Sequence, residues 1–129
     1  MSAGTSGEGI QVGLTAAASA AAEDRVVVRV VGELDLSTVS QFLVALDEAI
    51  DVDASTIELD LRELAFMDSS GVGAYVAAFR RARSRGTSLV IGQRSPAVDR
   101  VLELSGVEEA LAAESSTEGP RDGWPSTQF

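Results

Sequence analysis

The sequence predicts an α/β domain: a mixed, mostly parallel sheet of four to five strands, begun by an N-terminal hairpin and joined by three to four helices. Three observations carry this. Strand-like runs recur at "RVVVRVVG" (Arg25–Gly32), "TIELDLREL" (from Thr56) and "SLVIG" (Ser88–Gly92). Segments with helical apolar spacing follow each of them. Such alternation implies right-handed crossovers onto parallel strands, and 129 residues suffice for one domain.

Residues Met1–Gly9 are Ser, Gly and Ala with one Glu, and are expected to be disordered. "IQVGLT" (Ile10–Thr15) alternates apolar and small or polar residues and suits a short edge strand. The Ala-rich piece to Ala22 reads as a hairpin loop ending at Glu23–Asp24, ahead of the dense β-branched strand from Arg25. Gly32 and Asp35 mark a turn, with Ser37 or Thr38 as helix cap. Val39, Phe42, Leu43, Leu46, Ala49 and Ile50 then form one apolar helix face. In the next strand Ile57, Leu59 and Leu61 point one way, Glu58 and Asp60 the other.

A second helix is marked by Val72, Tyr75, Val76, Phe79 and Ala82; arginines crowd its end and Gly86 stops it. A third opens with Ser95 as cap and Pro96 at its first position, and closes at Gly106. "VEEALAAE" (Val107–Glu114) suits a last short strand, and Ser115–Phe129 reads as a disordered polar tail. Within that tail Trp124, the single Trp, is either a stray aromatic or, with Phe129, an anchor in a groove.

Charge and composition exclude several functions. With a net charge of −10, a nucleic-acid-binding surface is not expected, because phosphate contacts need clustered positive charge. With no Cys there are no disulfides or thiolate metal sites. No stretch approaches the ~20 apolar residues of a membrane helix. Ala16–Ala22 lacks a preceding basic region and is interrupted by Ser19, so it makes a poor signal peptide, and a cytoplasmic location is expected.

The chemistry concentrates in "AFMDSSGVGAYV" (Ala65–Val76), where an apolar run stops at Asp68 and gives way to two serines and two glycines. A dinucleotide loop fits poorly: Val76 holds the third glycine position and no acidic residue closes the next strand. A phosphate-binding P-loop needs a Lys. A serine hydrolase needs a base, and the chain has no His. Asp47–Glu48 and Glu108–Glu109 lack metal-ligand spacing. No cofactor or metal is expected. Ser69 or Ser70 as helix cap, with Gly71, Gly73 and Ala74 allowing close approach to the sheet, explains the residue types. It leaves unexplained why Phe66 and Met67 precede the site, and why Asp68 and Ser69 both suit the capping position.

"RVVGELDLSTVSQFLVAL", "IELDLRELAFMDSSGVGAYV" and "RSPAVDRVLELSGV" together resemble the signature blocks of the STAS family, and within it the bacterial anti-sigma-factor antagonists. The resemblance runs from about Val26 to Val107 and implies a single STAS domain over residues 10–114. It implies that the protein is no enzyme, but binds an anti-sigma factor that is also a serine kinase and so frees a sigma factor. The kinase would phosphorylate Ser69, the serine directly after Asp68, with Ser70 as the other candidate; a serine phosphatase would restore it. Asp35 matches a position beside that site, so Asp35, Asp68, Ser69, Ser70 and Gly71 form the implied switch surface. Two other readings remain: an unphosphorylated STAS scaffold in a signalling assembly, and an anion- or nucleotide-sensing module at the same helix start.

Overall fold

The computed structural model describes residues 13–22 and 24–118. In chain order these form β1 (Leu14–Ala22), β2 (Arg25–Leu34), α1 (Val39–Asp51), β3 (Thr56–Leu61), β4 (Leu64–Met67), α2 (Ser69–Ser84), β5 (Ser88–Arg94), α3 (Pro96–Ser105) and α4 (Val107–Glu118). The sheet runs β1-β2-β3-β5, with β4 also on β2. The β1–β2 hairpin is antiparallel and every other pairing is parallel. The expected α/β architecture with an N-terminal hairpin is therefore present.

Alternation sorts the strands into two faces. Val28, Val30, Ile57, Leu59 and Leu61 are fully buried, packed with Phe42, Leu46 and Ile50 of α1 and with Tyr75, Ala78 and Ala82 of α2. On the opposite face Val27 lies beside Glu58 and Arg29 beside Asp60. There Arg25 pairs with Glu58, Arg29 with Glu63 at 2.6 Å, and Arg62 with Asp60 at 2.8 Å. α3 packs on β4, and α4 against α2 and α3.

Three expectations are corrected. The alanine run is not a loop but β1 itself: Ala16, Ala18 and Ala20 stand opposite Val30, Val28 and Val26. Pairing with β2 outweighs the helix preference of alanine, and Asp24, at φ 67°, turns the hairpin. Ile10–Val12 lie outside the described residues. The run from Thr56 divides into β3 and β4, because β2 changes partner along its length. Arg25–Arg29 pair with β3 and Gly32–Leu34 with β4, the join marked by the Gly32 amide donating to the Glu63 carbonyl at 3.3 Å.

The third correction concerns Val107–Glu114, which is helical and continues to Glu118. Gly106, at φ 66°, ends α3 by donating to the Leu102 and Glu103 carbonyls and redirects the chain. Val107 and Leu111, one turn apart, then bury themselves. Of the polar tail expected from Ser115, residues 115–118 are the end of α4, and the rest lies outside the described residues.

Candidate functional site

The site sits where β2 and β4 end side by side. Leu34 pairs with Met67, and the Asp68 amide donates to the Leu34 carbonyl at 3.2 Å. Asp35 and Asp68 are the next residues after the two strands, so they leave the sheet together.

Asp35 enters a tight turn. Its carboxylate accepts from the Ser37 hydroxyl at 2.7 Å and the Ser37 amide at 3.0 Å. These bonds, the hydroxyl's foremost, hold the Asp35 carboxyl below the usual carboxylate range. Thr38 is the residue before α1, but its side chain does not cap the helix. Its hydroxyl accepts from the Asp35 amide at 3.0 Å and donates to the Glu33 carbonyl at 2.8 Å, closing the turn instead.

The start of α2 resolves the competition for the cap. Asp68 has extended backbone, and its carboxylate accepts from the Ser70 amide at 2.9 Å and the Gly71 amide at 3.3 Å. Asp68 is therefore the cap, and neither serine is. Ser69, the first helical residue, is exposed, and its hydroxyl bonds to none of the described residues. Ser70 is half-buried and Gly71 buried.

Gly71 lets α2 touch the sheet: a Cβ there would stand 2.8 Å from Leu34 Cγ and 2.9 Å from Met67 Cγ. Gly73 has open space around it, so Gly71 and Ala74, not Gly73, make the close contact. Asp35, Asp68, Ser69, Ser70 and Gly71 thus gather at one end of the sheet. Two exposed apolar side chains flank them in sequence, Leu36 at 78% and Phe66 at 46% exposure. Sequence reading passed over Leu36; its signal was an apolar residue inside a turn.

Among the described residues no cluster of His, Cys, Asp and Glu could hold a metal ion, and no helix is long and apolar enough to cross a membrane.

Comparison with known proteins gives the family and the fold. A family model described as "Mlab, STAS domain" matches residues 17–113. An anti-sigma-B factor antagonist of Listeria monocytogenes is 30% identical over 100 residues, 78% of this chain and 87% of that protein. The anti-sigma factor antagonist SpoIIAA in its unphosphorylated form is 28% identical, with a TM-score of 0.62 over 79% of this chain and 97% of that one. The Bacillus cell fate determinant SpoIIAA in its phosphorylated form is 29% identical, with a TM-score of 0.56 over 78% and 99% of the two chains. This chain belongs to the STAS-domain family, in its anti-sigma-factor antagonist branch.

Proposed function

We propose that this protein binds an anti-sigma factor that is also a serine kinase, thereby releasing a sigma factor, and that phosphorylation of Ser69 switches it off. It performs no catalysis of its own. A serine phosphatase restores the binding form. One observation carries the reading: Ser69 presents an exposed hydroxyl, bonded to none of the described residues, in the first turn of α2, while Asp68 does the capping. The hydroxyl can be modified without breaking a bond that holds the helix. The relatives' names support the partner, and SpoIIAA is known in a phosphorylated form.

In the transfer, the Ser69 Oγ attacks the terminal phosphorus of a nucleoside triphosphate held by the kinase. Its proton passes to a base on the kinase, and the nucleoside diphosphate leaves. The product carries a charge of about −1.5 to −2. It meets the positive end of α2 but also the Asp68 and Asp35 carboxylates. These effects oppose each other within the domain, so the fold is retained. A partner surface shaped for a neutral hydroxyl, with Leu36 and Phe66 as apolar contacts, loses affinity.

The same cap argues against anion sensing, because the Asp68 carboxylate already occupies the Ser70 and Gly71 amides. Phosphopeptide mapping after incubation with candidate anti-sigma kinases from the same cell and ATP tests the acceptor. Ser69 is expected, and modification at Ser70 alone overturns the assignment. Calorimetric titration of the modified and unmodified protein against that partner tests the switch, which unchanged affinity would disprove.

A further inference from the structure

β1 ends the sheet, and among the described residues it pairs on one side only, with β2. The Glu33 amide donates to the Gly13 carbonyl at 2.9 Å, and the β1–β2 ladder is regular from Leu14 to Ala20. In an antiparallel ladder the bonding direction alternates along each strand. The backbones of Thr15, Ala17 and Ser19 therefore turn to β2, and those of Leu14, Ala16, Ala18 and Ala20 turn outward. These last present a row of amides and carbonyls bonded to none of the described residues. Edge strands are ordinarily protected by charge, proline or a bulge. "LTAAASAAA" has neither charge nor proline, and its register shift comes only after Ala20.

Beside this edge lies an apolar trough. Two adjoining cavities, of about 390 and 340 Å³, run between β1 and α1 and share Ala16, Ala45 and Glu48. Val44 of α1 and Val52 just past its end line them, 56% and 64% exposed. Seven residues at ~3.3 Å each make an edge about 23 Å long. With a sheet layer and a helix layer each about 10 Å deep, a facing copy would cover roughly 500 Å² on each chain. The total of about 1,000 Å² reaches the lower limit for a specific interface. We propose that β1 pairs antiparallel with β1 of a second copy, across a two-fold axis at Ala17, joining the two sheets into one. This register sets Leu14 opposite Ala20 and Ala16 opposite Ala18 of the second copy, so every outward amide and carbonyl finds a partner. The facing side chains are small, and α1 and its copy lie side by side over the join. Charge opposes the contact, since each chain carries −10 and Glu48 lines the trough. The dimer is therefore expected to tighten as salt rises.

Sedimentation of the full chain in physiological salt, from micromolar towards millimolar concentration, tests the proposal. The average mass is expected to rise from that of one chain to that of two. Ala18→Pro removes an outward amide and no bond to β2, and is expected to hold the mass at one chain throughout. If Ala18→Pro does not fold, Ala17→Glu decides by the same loss. Ala17 is exposed and stands beside Arg29, which a carboxylate suits, but on the axis the new charge meets its own copy. Cross-linking locates the contact, because the chain has no Cys. Ala17→Cys puts one thiol at the axis, where directly opposed residues lie ~4.5 Å apart at Cα, within disulfide reach. Mild oxidation is expected to link two copies of this variant, and to leave Ser84→Cys, at the end of α2, unlinked. A monomer at every concentration overturns the proposal and leaves the edge to a strand of another protein. So does a dimer that survives both Ala18→Pro and Ala17→Glu, or that links as readily through Ser84→Cys, since either moves the contact to another surface.

Discussion

Gly71 and Gly73 are alike in sequence and opposite in circumstance. Each stands in a helix that would gain from alanine, by about 0.5–1 kcal/mol on intrinsic preference. At Gly71 the added methyl would press on Leu34 and Met67 at 2.8–2.9 Å. Both neighbours are buried and cannot swing into solvent, and overpacking of this kind costs about 1–3 kcal/mol. At Gly73 nothing lies within 4 Å. Urea unfolding is expected to show Gly71→Ala less stable than wild type and Gly73→Ala equal or more stable. Two glycines of one motif shifting stability in the same direction would contradict the packing described here. Sequence could identify the pair but not separate them, because which glycine faces the sheet depends on the helix phase, and that is set by Asp68 as cap.

The helix start carries its own pair of expectations. Asp68→Ala removes the acceptor of two amide bonds and is expected to cost about 0.5–2 kcal/mol. Ser69→Ala removes a hydroxyl that bonds nothing among the described residues, so thermal unfolding is expected to find it close to wild type. It should nevertheless prevent phosphorylation and leave the partner permanently engaged, whereas Ser69→Asp should weaken binding, one charge being an incomplete imitation of a phosphate. A Ser69→Ala variant as unstable as Asp68→Ala would return the cap to the serine.

At this scale the sequence was legible wherever periodicity and punctuation agreed. Phe42, Leu46 and Ile50 of α1, the Ser95–Pro96 start of α3 and its Gly106 stop all lie as read. Legibility failed where local preference was overruled from outside. The alanines of β1 are strand because β2 offers them an edge. Val107–Glu114 is the exception: its Glu, Ala and Leu residues favour helix on their own, a local preference the strand reading missed, and α2 adds arginines for it to pair with. The split of β3 from β4 follows from a change of partner along β2. For the candidate site, sequence could name Asp35, Asp68, Ser69, Ser70 and Gly71, which the fold gathers at one end of the sheet, but not the division of labour between Asp68 and Ser69.

For the whole molecule, composition and burial together set the dependence of stability on pH. The chain has no His, Cys or Lys, and all ten of its basic residues are Arg, which stays protonated. Apart from a chain terminus, no residue type of the chain has an ordinary pKa between roughly pH 6 and pH 9. On the acid side, hydrogen bonds from Ser37 hold Asp35 low, those from Arg62 hold Asp60 low, and those from Arg80 hold Glu114 low. A carboxyl whose folded pKa lies below its unfolded value of about 4 stabilises the protein above that value. The contribution is lost as pH falls through the folded pKa. On the alkaline side, burial, assisted by the Glu108 charge, pushes the Tyr75 hydroxyl up to about 12. Its folded pKa thus exceeds the unfolded value of about 10, so this contribution is complete below pH ~10 and declines towards pH ~12. Urea midpoints are expected to be level from pH 6 to 9, to fall below pH ~4, and to fall again above pH ~10. The upper limb can be assigned directly, since Tyr75 is the single Tyr and its ultraviolet absorbance reports its ionisation alone. A tyrosine titrating near 10 in the folded protein would contradict its place in the core. The level window also isolates the switch: a phosphoserine has its second pKa near 6 and would be the one side chain of this protein to titrate at its edge. The urea midpoint of the phosphorylated protein is therefore expected to depend on pH between about 5.5 and 7 more steeply than that of the unmodified protein. Coincident profiles would mean that the phosphoryl group feels neither Asp35 nor Asp68 nor the start of α2.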